Sequence, residues 1–222
     1  MFLEIPDLLT TPEVARLQAV AATAKFIDGR VTNPHSRVKN NVQLNYGDPL
    51  YAESSRMLAG ALQRHETFRN AAFPKIMAPP MLTKYPPGNS YGLHSDAAFL
   101  PIGERPIRSD LSCTVFIAPP QAYEGGELSV SVGTRRVDIK GAAGSAVIYP
   151  SNTLHEVQPV RSGERVVGLT FIESRIADAQ KRDLLYELNE VAALEGLSMQ
   201  WENFTRLQHV QMSLLRLWAD AG

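Results

Sequence analysis

Residues 145–172, SAVIYPSNTLHEVQPVRSGERVVGLTFI, contain three short runs rich in β-branched and aromatic residues, separated by Pro, Ser, Asn and Gly. Similar runs precede them from residue 81 onward: MLTKY, LSCTVFIA, ELSVSV and RRVDIK. Short strands with turn residues between them are typical of a β-sandwich or barrel. Gly133-Thr134 and Ser162-Gly163 are predicted to be tight hairpin turns, and Pro159 predicts an edge strand or a bulge.

Helical patterns flank the strand-rich region on both sides. Thr11, Pro12 and Glu13 predict a helix start with Thr11 as the N-cap, and a second helix follows Asp48-Pro49. Beyond residue 175, apolar residues again recur at helical spacing. They form two predicted apolar stripes, each on one face of a helix. The first stripe is Leu184, Leu188 and Val191, and the second is Phe204, Leu207, Val210, Leu214 and Leu217. The order of helices, strands and helices predicts an α+β fold.

The composition argues against nucleic-acid-binding and membrane-spanning classes of protein. The 222-residue chain has 44% hydrophobic residues, 20% charged residues and a formal net charge of -1, which is ordinary for a globular protein. It has no long Lys/Arg block, so no nucleic-acid partner is expected. No apolar run approaches membrane-spanning length, the first residues do not resemble a signal peptide, and Cys113 is the only cysteine. We therefore expect a cytoplasmic protein without a membrane partner.

The stretch that carries chemistry is residues 85–96, YPPGNSYGLHSD. In an extended segment residues i and i+2 project to the same face, so His94 and Asp96 can reach one point. A third ligand is expected from His155, on a later predicted strand. Two imidazoles and one carboxylate on one face of a metal leave its other positions open. That arrangement suits Fe(II) oxygenases, because the co-substrate and O2 both bind iron.

Arg165 lies ten residues beyond His155, at the start of another predicted strand. Its planar, charged fork suits the distal carboxylate of 2-oxoglutarate. Both side chains must then face the barrel interior. A two-residue hairpin at Ser162-Gly163 would pair Arg165 with Val160 and turn it outward. We therefore expect a bulge or an odd-membered connection near Pro159.

The whole chain resembles the bacterial PKHD-type hydroxylases, within the prolyl-4-hydroxylase-like branch of the Fe(II)- and 2-oxoglutarate-dependent oxygenases. The similar segments are FIDGRVT (26–32), VKNN (38–41), RSDLS (108–112), YEGGEL (123–128) and YPS (149–151). The resemblance implies a double-stranded β-helix (jelly-roll) core with flanking N- and C-terminal helices. It implies that His94, Asp96 and His155 hold iron and that Arg165 binds 2-oxoglutarate. It also implies L-ascorbate as the reductant of the iron, and a link with iron uptake.

Further candidate residues each have a structural alternative. Tyr85 resembles the tyrosine that hydrogen-bonds bound 2-oxoglutarate in this branch, and is otherwise a core aromatic residue. The candidates for substrate binding are Asn41, Gln43, Arg108 and Asp110. The first two belong, with Lys39 and Asn40, to a polar cluster that lines either a substrate mouth or a solvated loop. The last two form either a substrate clamp or a surface ion pair.

Residues 1–176 are predicted to form the oxygenase domain with its N-terminal helices, and residues 177–222 a helical extension packed on it. The second C-terminal stripe needs a partner surface, either the barrel or another subunit, so these helices are a candidate homodimer interface.

The expected substrate is a small molecule or a peptide. Two rival functions stay open. One is an iron-binding accessory or sensor protein without turnover, which Arg165 argues against. The other is a zinc hydrolase, which lacks a supporting HExxH-like segment.

Overall fold

The computed structural model describes residues 2–220. Its helices are α1 (Thr11–Thr23), α2 (Pro49–Arg64), α3 (Glu66–Ala72), α4 (Ala179–Glu195) and α5 (Trp201–Trp218). The first strands are β1 (Leu3–Ile5), β2 (Phe26–Asp28), β3 (Lys39–Asn40), β4 (Val42–Leu44), β5 (Pro74–Met77), β6 (Met81–Tyr85), β7 (Ser90–His94), β8 (Phe99–Leu100) and β9 (Ile107–Arg108). The later strands are β10 (Leu111–Phe116), β11 (Tyr123–Gly125), β12 (Leu128–Val132), β13 (Arg135–Ile139), β14 (Ala146–Pro150), β15 (His155–Val157), β16 (Val160–Gly163) and β17 (Arg165–Ser174).

Two antiparallel sheets enclose the core. The larger sheet has the strand order β1-β14-β10-β17-β6-β4-β2, with β5 also paired to β17. The smaller sheet has the order β13-β12-β15-β7-β3, and β11-β16 and β8-β9 form separate two-stranded pairs. Buried side chains from both sheets belong to one hydrophobic cluster. This arrangement confirms the expected α+β class and jelly-roll core with flanking helices.

Helix α2 covers the outer face of the larger sheet. Leu58, Ala61 and Leu62 form its buried side. Gly168 of β17 makes room for Leu58, whose Cδ1 lies 2.8 Å from the place where a Cβ would stand. All six residues of β10 are buried, and the strand is central in the larger sheet, between β14 and β17. The sheet therefore offers a rigid floor for the cavity between the two sheets.

Helix α1 begins one residue earlier than the sequence predicts. Thr10, not Thr11, is the N-cap, and its backbone N–H donates to the Glu13 carboxylate at 2.9 Å. The same carboxylate accepts hydrogen bonds from Arg64 at the end of α2. Glu13 thus closes the first turn of α1 and joins the two helices.

One of the two predicted hairpins is confirmed and the other is wrong. Gly133-Thr134 is a two-residue turn, since the flanking residues of β12 and β13 pair directly. Ser162-Gly163 is not a hairpin turn, because β16 pairs with β11 and Arg165 pairs with Tyr85 of β6 in the larger sheet. The chain crosses between sheets here. The expected irregularity is also present, since Glu124 pairs with Ser162 but Gly125 pairs with Val160, which leaves Arg161 as an extra residue of β16, two residues beyond Pro159.

The C-terminal helices pack in series, α5 on α4 and α4 on α3. The predicted stripe on α5 is partly wrong, since Val210 and Leu217 are 46% and 75% exposed. The buried residue of α5 is Gln211, whose Nε2 donates to the Leu188 carbonyl of α4 at 2.9 Å. On α4, Leu185 is buried in place of the predicted Leu184. Within residues 2–220, no helix has the length and apolar character needed to cross a membrane.

Candidate active site

A cavity of about 390 Å³ between the sheets brings the three predicted metal ligands together. His94 ends β7, His155 begins β15, and the two residues pair directly across these strands. Asp96 lies between them, with His94 Nε2 3.8 Å from Oδ1 and His155 Nε2 3.7 Å from Oδ2. Ligand bonds of about 2.0–2.2 Å allow two donors of one ion to lie up to about 4.4 Å apart. The donor set and its spacing therefore fit a first-row metal ion.

Each histidine is oriented through its other ring nitrogen. His94 Nδ1 lies 2.7 Å from the Gly92 carbonyl, and His155 Nδ1 lies 2.9 Å from the Thr153 carbonyl. A carbonyl only accepts hydrogen bonds, so Nδ1 carries the proton and Nε2 is free to bind a metal. Burial, together with the neighbouring His155, lowers the pKa of His94. The neutral imidazole, which is the form that binds metals, is thereby favoured.

An irregularity in β7 determines which side chain supports His94. His155 pairs with His94 but Val157 pairs with Tyr91, so β7 carries one extra residue relative to β15. Residues three apart lie on opposite faces of a regular strand, and the bulge returns them to the same face. The Tyr91 ring therefore stacks on the His94 imidazole, with centroids 3.6 Å apart. Tyr91 could not be found from the sequence, because a bulge leaves no mark in the alternation of residue types.

Buried serines hold Asp96. Ser112 Oγ donates to Asp96 Oδ2 at 2.5 Å, and Ser151 Oγ lies 2.8 Å from both Ser112 Oγ and Ser109 Oγ. The Asp96 backbone N–H also donates to the Ser151 carbonyl at 3.1 Å. Three side chains on β10 and the adjoining loops thus fix the carboxylate. Their only sequence signal is that they fall within two of the segments that carry the family resemblance, RSDLS and YPS.

Arg165 opens β17 in the same cavity and is only 1% exposed. Its guanidinium lies over the Tyr85 ring, 5.0 Å from the centroid, and its Nε and Nη1 have no hydrogen-bond partner within residues 2–220. The buried Tyr123 hydroxyl lies beside it and is also unpaired. A buried cation with free donors favours an anionic ligand, because burial of an unpaired charge is costly.

Comparisons with known proteins agree with this geometry. The 2OG-Fe(II) oxygenase superfamily model matches residues 80–173. A PKHD-type hydroxylase from Sphingopyxis alaskensis is 49% identical to this chain, over 97% of this chain and 98% of the relative. The chain belongs to the PKHD-type hydroxylases. It is therefore a dioxygenase of the 2OG-Fe(II) family, which implies Fe(II) and 2-oxoglutarate as metal and co-substrate.

Solved structures share the fold of this PKHD-type hydroxylase at low sequence identity. A prolyl hydroxylase from Trichoplax adhaerens, in complex with a hypoxia inducible factor peptide fragment, has a TM-score of 0.59 and 18% identity, covering 82% of this chain and 86% of its own. A Pseudomonas putida prolyl-4-hydroxylase has a TM-score of 0.54 and 17% identity, covering 78% of this chain and 92% of its own. Both likenesses support the jelly-roll fold.

Three of the remaining predicted residues of the hydroxylase line the cavity. Tyr85 is buried, and its hydroxyl accepts a hydrogen bond from Asn41 Nδ2 at 2.9 Å. Gln43 Oε1 accepts from Thr32 Oγ1 at 3.0 Å. Asn41 and Gln43 are 4% and 2% exposed, so they do not lie on a solvated loop. Of the polar cluster predicted from the sequence, Lys39, Asn41 and Gln43 line the cavity, whereas Asn40 is exposed and is not among the described lining residues.

Arg108 and Asp110 of the hydroxylase have a different environment and are not among the described residues that line the cavity. Arg108 Nε donates to Asp110 at 2.8 Å, and its Nη2 donates to Asp220 at 2.9 Å. Asp110 Oδ2 also accepts from the Ser174 backbone N–H at 2.8 Å. These contacts match the ion-pair alternative, and they tie the end of the chain to β9.

Proposed function

We propose that this hydroxylase inserts one atom of O2 into a C–H bond of a small molecule or peptide. In the balanced reaction, R–H, O2 and 2-oxoglutarate give R–OH, succinate and CO2. The proposal is carried by one observation: the His94, Asp96 and His155 cluster shares a cavity with the unpaired donors of Arg165. When bound, Fe(II) supplies the activation of O2.

The residues of the chain have separate tasks in this proposal. His94, Asp96 and His155 would hold the iron from one side and leave positions for 2-oxoglutarate and O2. Arg165 would bind the distal carboxylate of 2-oxoglutarate, with the Tyr85 ring supporting its guanidinium. The apolar side chains of Leu128, Val157 and Leu169 line the same cavity and exclude water from it.

Release of succinate from 2-oxoglutarate tests the proposal. The purified protein is incubated with Fe(II), 2-oxoglutarate and a metabolite or peptide extract, and products heavier by one oxygen atom are sought by mass spectrometry. We expect succinate with the wild type and none above background with His155→Ala. A wild type that binds iron tightly but releases no succinate with any extract would favour the alternative, an iron-binding accessory or sensor protein without turnover.

We further propose that L-ascorbate keeps the iron reduced and that the reaction is linked with iron uptake. The support for both is the family resemblance described above. Ascorbate should prolong succinate release over repeated turnovers. Deletion of the coding gene in its native host should lower the accumulation of radiolabelled iron under iron limitation. Equal accumulation in the deletion and parent strains would contradict the link.

We also propose that residues 177–222 form an extension of the oxygenase domain and pair with a second copy. Large hydrophobic residues that are at least 70% exposed occur, within residues 2–220, only on α4, on α5 and in the turn between them. They are Leu194, Leu197, Trp201 and Leu217. Leu194, Leu197 and Trp201 lie within eight residues around the turn between α4 and α5, and exposed apolar residues concentrated in this way are typical of a protein–protein contact.

A further inference from the structure

Lys39 lies at the cavity wall without a carboxylate partner. It opens β3 and is half-buried, and its Nζ donates to Thr32 Oγ1 at 2.7 Å and lies 5.6 Å from the centroid of the Tyr91 ring. No ion pair within residues 2–220 involves Lys39. A lysine ammonium has three N–H donors, so at least two are left for another ligand.

The carboxylates that act on Lys39 from a distance are Asp28 and Asp96. Both are already engaged. Asp28 accepts hydrogen bonds from the guanidinium of Arg30, and Asp96 accepts from Ser112 and belongs to the metal ligands. The positive charge of Lys39 is therefore not neutralised by the part of the chain that the structure describes.

A second free donor lies beside Lys39. Thr32 Oγ1, which accepts from Lys39, in turn donates to Gln43 Oε1, so the three side chains are joined by hydrogen bonds. Gln43 Nε2 is buried and unpaired. The Tyr46 hydroxyl lies close to this amide, but no hydrogen bond of good geometry joins them. Lys39 thus presents free donors at this part of the wall, and the unpaired Gln43 Nε2 lies buried beside it.

The unpaired acceptor nearest in sequence belongs to Asn41. Its Oδ1 abuts Gly29, at 1.8 Å from the place where a Cβ on that glycine would stand. This oxygen is therefore directed against the backbone of residue 29. It does not offset the donor character of the Lys39 and Gln43 pair.

We propose that the substrate of this hydroxylase carries a carboxylate that binds Lys39 Nζ, beside the unpaired Gln43 amide. The inference rests on the proposed function, because it concerns the third occupant of the same cavity. The metal dication, the Asp96 carboxylate, the 2-oxoglutarate dianion and the Arg165 guanidinium balance one another in charge. Lys39 then remains as a surplus cation, and an acidic substrate neutralises it. A charge-assisted pair to a carboxylate also satisfies its free N–H donors.

The chain provides a matched control for a variant at Lys39. Lys84 of β6 is also a shielded lysine, its side chain 14% exposed, with its Nζ 4.4 Å from the centroid of the Phe26 ring. It differs in pairing with Glu164 at 3.8 Å and in not being among the described residues that line the cavity. Lys84→Met therefore removes a comparable side chain without touching the proposed subsite.

Binding is measured by titration calorimetry on protein loaded with Mn(II) and 2-oxoglutarate, since Mn(II) prevents turnover. The probes are small acids, each paired with its primary amide: benzoate, hexanoate and N-acetylproline. We expect at least one acid to bind the wild type about tenfold more tightly than its amide. Lys39→Met should lose this preference, while Lys39→Arg and Lys84→Met should keep it.

Three outcomes would overturn the proposal. They are equal binding of acids and amides by the wild type, a preference that persists in Lys39→Met, and a loss of 2-oxoglutarate affinity in Lys39→Met that assigns the lysine to the co-substrate. A wild type that binds no 2-oxoglutarate would contradict the proposed function instead. The acid and amide titrations of the metal-loaded protein would then still test the Lys39 subsite.

Discussion

Single charges and hydroxyls decide what the cavity can hold. Arg165 and Lys39 are both cations in its wall, but they differ in burial and in support. Arg165 is fully enclosed over the Tyr85 ring, whereas Lys39 is half-buried and bonded to Thr32. The deeper cation suits the co-substrate and the shallower one a substrate bound nearer the surface, although both ligands must be exchanged in every turnover.

Replacing Arg165 by alanine should raise the KM for 2-oxoglutarate by more than about tenfold, since loss of a charge-assisted pair in a dry site costs about 2–4 kcal/mol. Fe(II) affinity, measured by competition with a chelator, should change little. Arg165→Lys is the control, because it keeps the charge but not the planar fork. A variant with wild-type dependence on 2-oxoglutarate would remove Arg165 from the site.

Ser112→Ala should weaken metal binding by about 10- to 100-fold, the usual effect of removing a hydrogen bond to a metal ligand. The substitution deprives the Asp96 carboxylate of its 2.5 Å hydroxyl donor. Ser54→Ala is a suitable control, because Ser54 is equally buried but donates to the Leu50 carbonyl within α2. Equal metal affinity in the two variants would show that Ser112 does not position Asp96.

At the residue scale, the sequence predicts the residues that the structure brings together as a ligand set, and it misses those that support them. His94 and Asp96 share an extended segment, so their convergence follows from local geometry. Tyr91 and Ser112 act through a bulge and a neighbouring strand. Such contacts depend on long-range pairing that no local pattern encodes.

At the scale of strands and helices, the position of a turn is easier to predict than the strand with which the next segment pairs. Ser162-Gly163 has the composition of a hairpin, yet β16 and β17 join different sheets. A Ser-Gly pair indicates a change of direction, but the partner strand is decided by packing across the core. The predicted apolar face of α5 is partly wrong for a related reason. A hydrogen bond from Gln211 to α4 turns a polar residue inward, where the apolar pattern alone predicts Val210.

Gly126→Ala tests the support that the turn after β11 gives to Arg165. Gly126 has a φ of +67°, and an added Cβ would lie 2.9 Å from Val160 Cγ2 and 3.2 Å from Arg165 Cδ. We expect a loss of about 1–3 kcal/mol in the free energy of unfolding from backbone strain, together with a higher KM for 2-oxoglutarate.

The matched control is Gly133→Ala. Gly133 has a φ of +61°, but nothing lies within 4 Å of an added Cβ. Urea unfolding should show a similar loss of stability in both variants. Only Gly126→Ala should alter the KM, and a raised KM in Gly133→Ala as well would mean that strain, not contact with Arg165, is the cause.

At the scale of the whole molecule, helices close the jelly-roll on one side and extend it on another. α2 packs on the larger sheet, and α3, α4 and α5 pack one against the next from the end of α2 onward. Arg108 joins this extension to the strands through Asp110 and Asp220. The segments that carry the family resemblance end at residue 151, so they predict the core and do not place the last helix, although the Sphingopyxis alaskensis relative matches 97% of the chain.

Light scattering should show twice the monomer mass for the full chain, because the exposed apolar residues between 194 and 217 need a partner. Leu197→Lys should shift the mass toward the monomer, since Leu197 is the most exposed of these residues. Val132→Lys, at a 52% exposed position on the β12–β13 hairpin, should leave the mass unchanged. A monomeric wild type at micromolar concentration would contradict the proposed dimer.

The extra residue in β7 has a consequence for engineering and for comparing lengths among related genes. Removing one codon between Tyr91 and His94 would leave the His-x-Asp spacing intact. It would also remove the bulge, so that Tyr91 and the histidine stand two residues apart on a regular strand and remain on the same face, opposite Val157 and His155. Libraries that vary length in this region can therefore include a one-residue deletion between Tyr91 and His94, and insertions belong in the turn at residues 86–89. Among related genes, a Tyr-to-His interval of three residues with a bulge and one of two residues without it are both compatible with this active site, so a one-residue gap there does not by itself distinguish two sites.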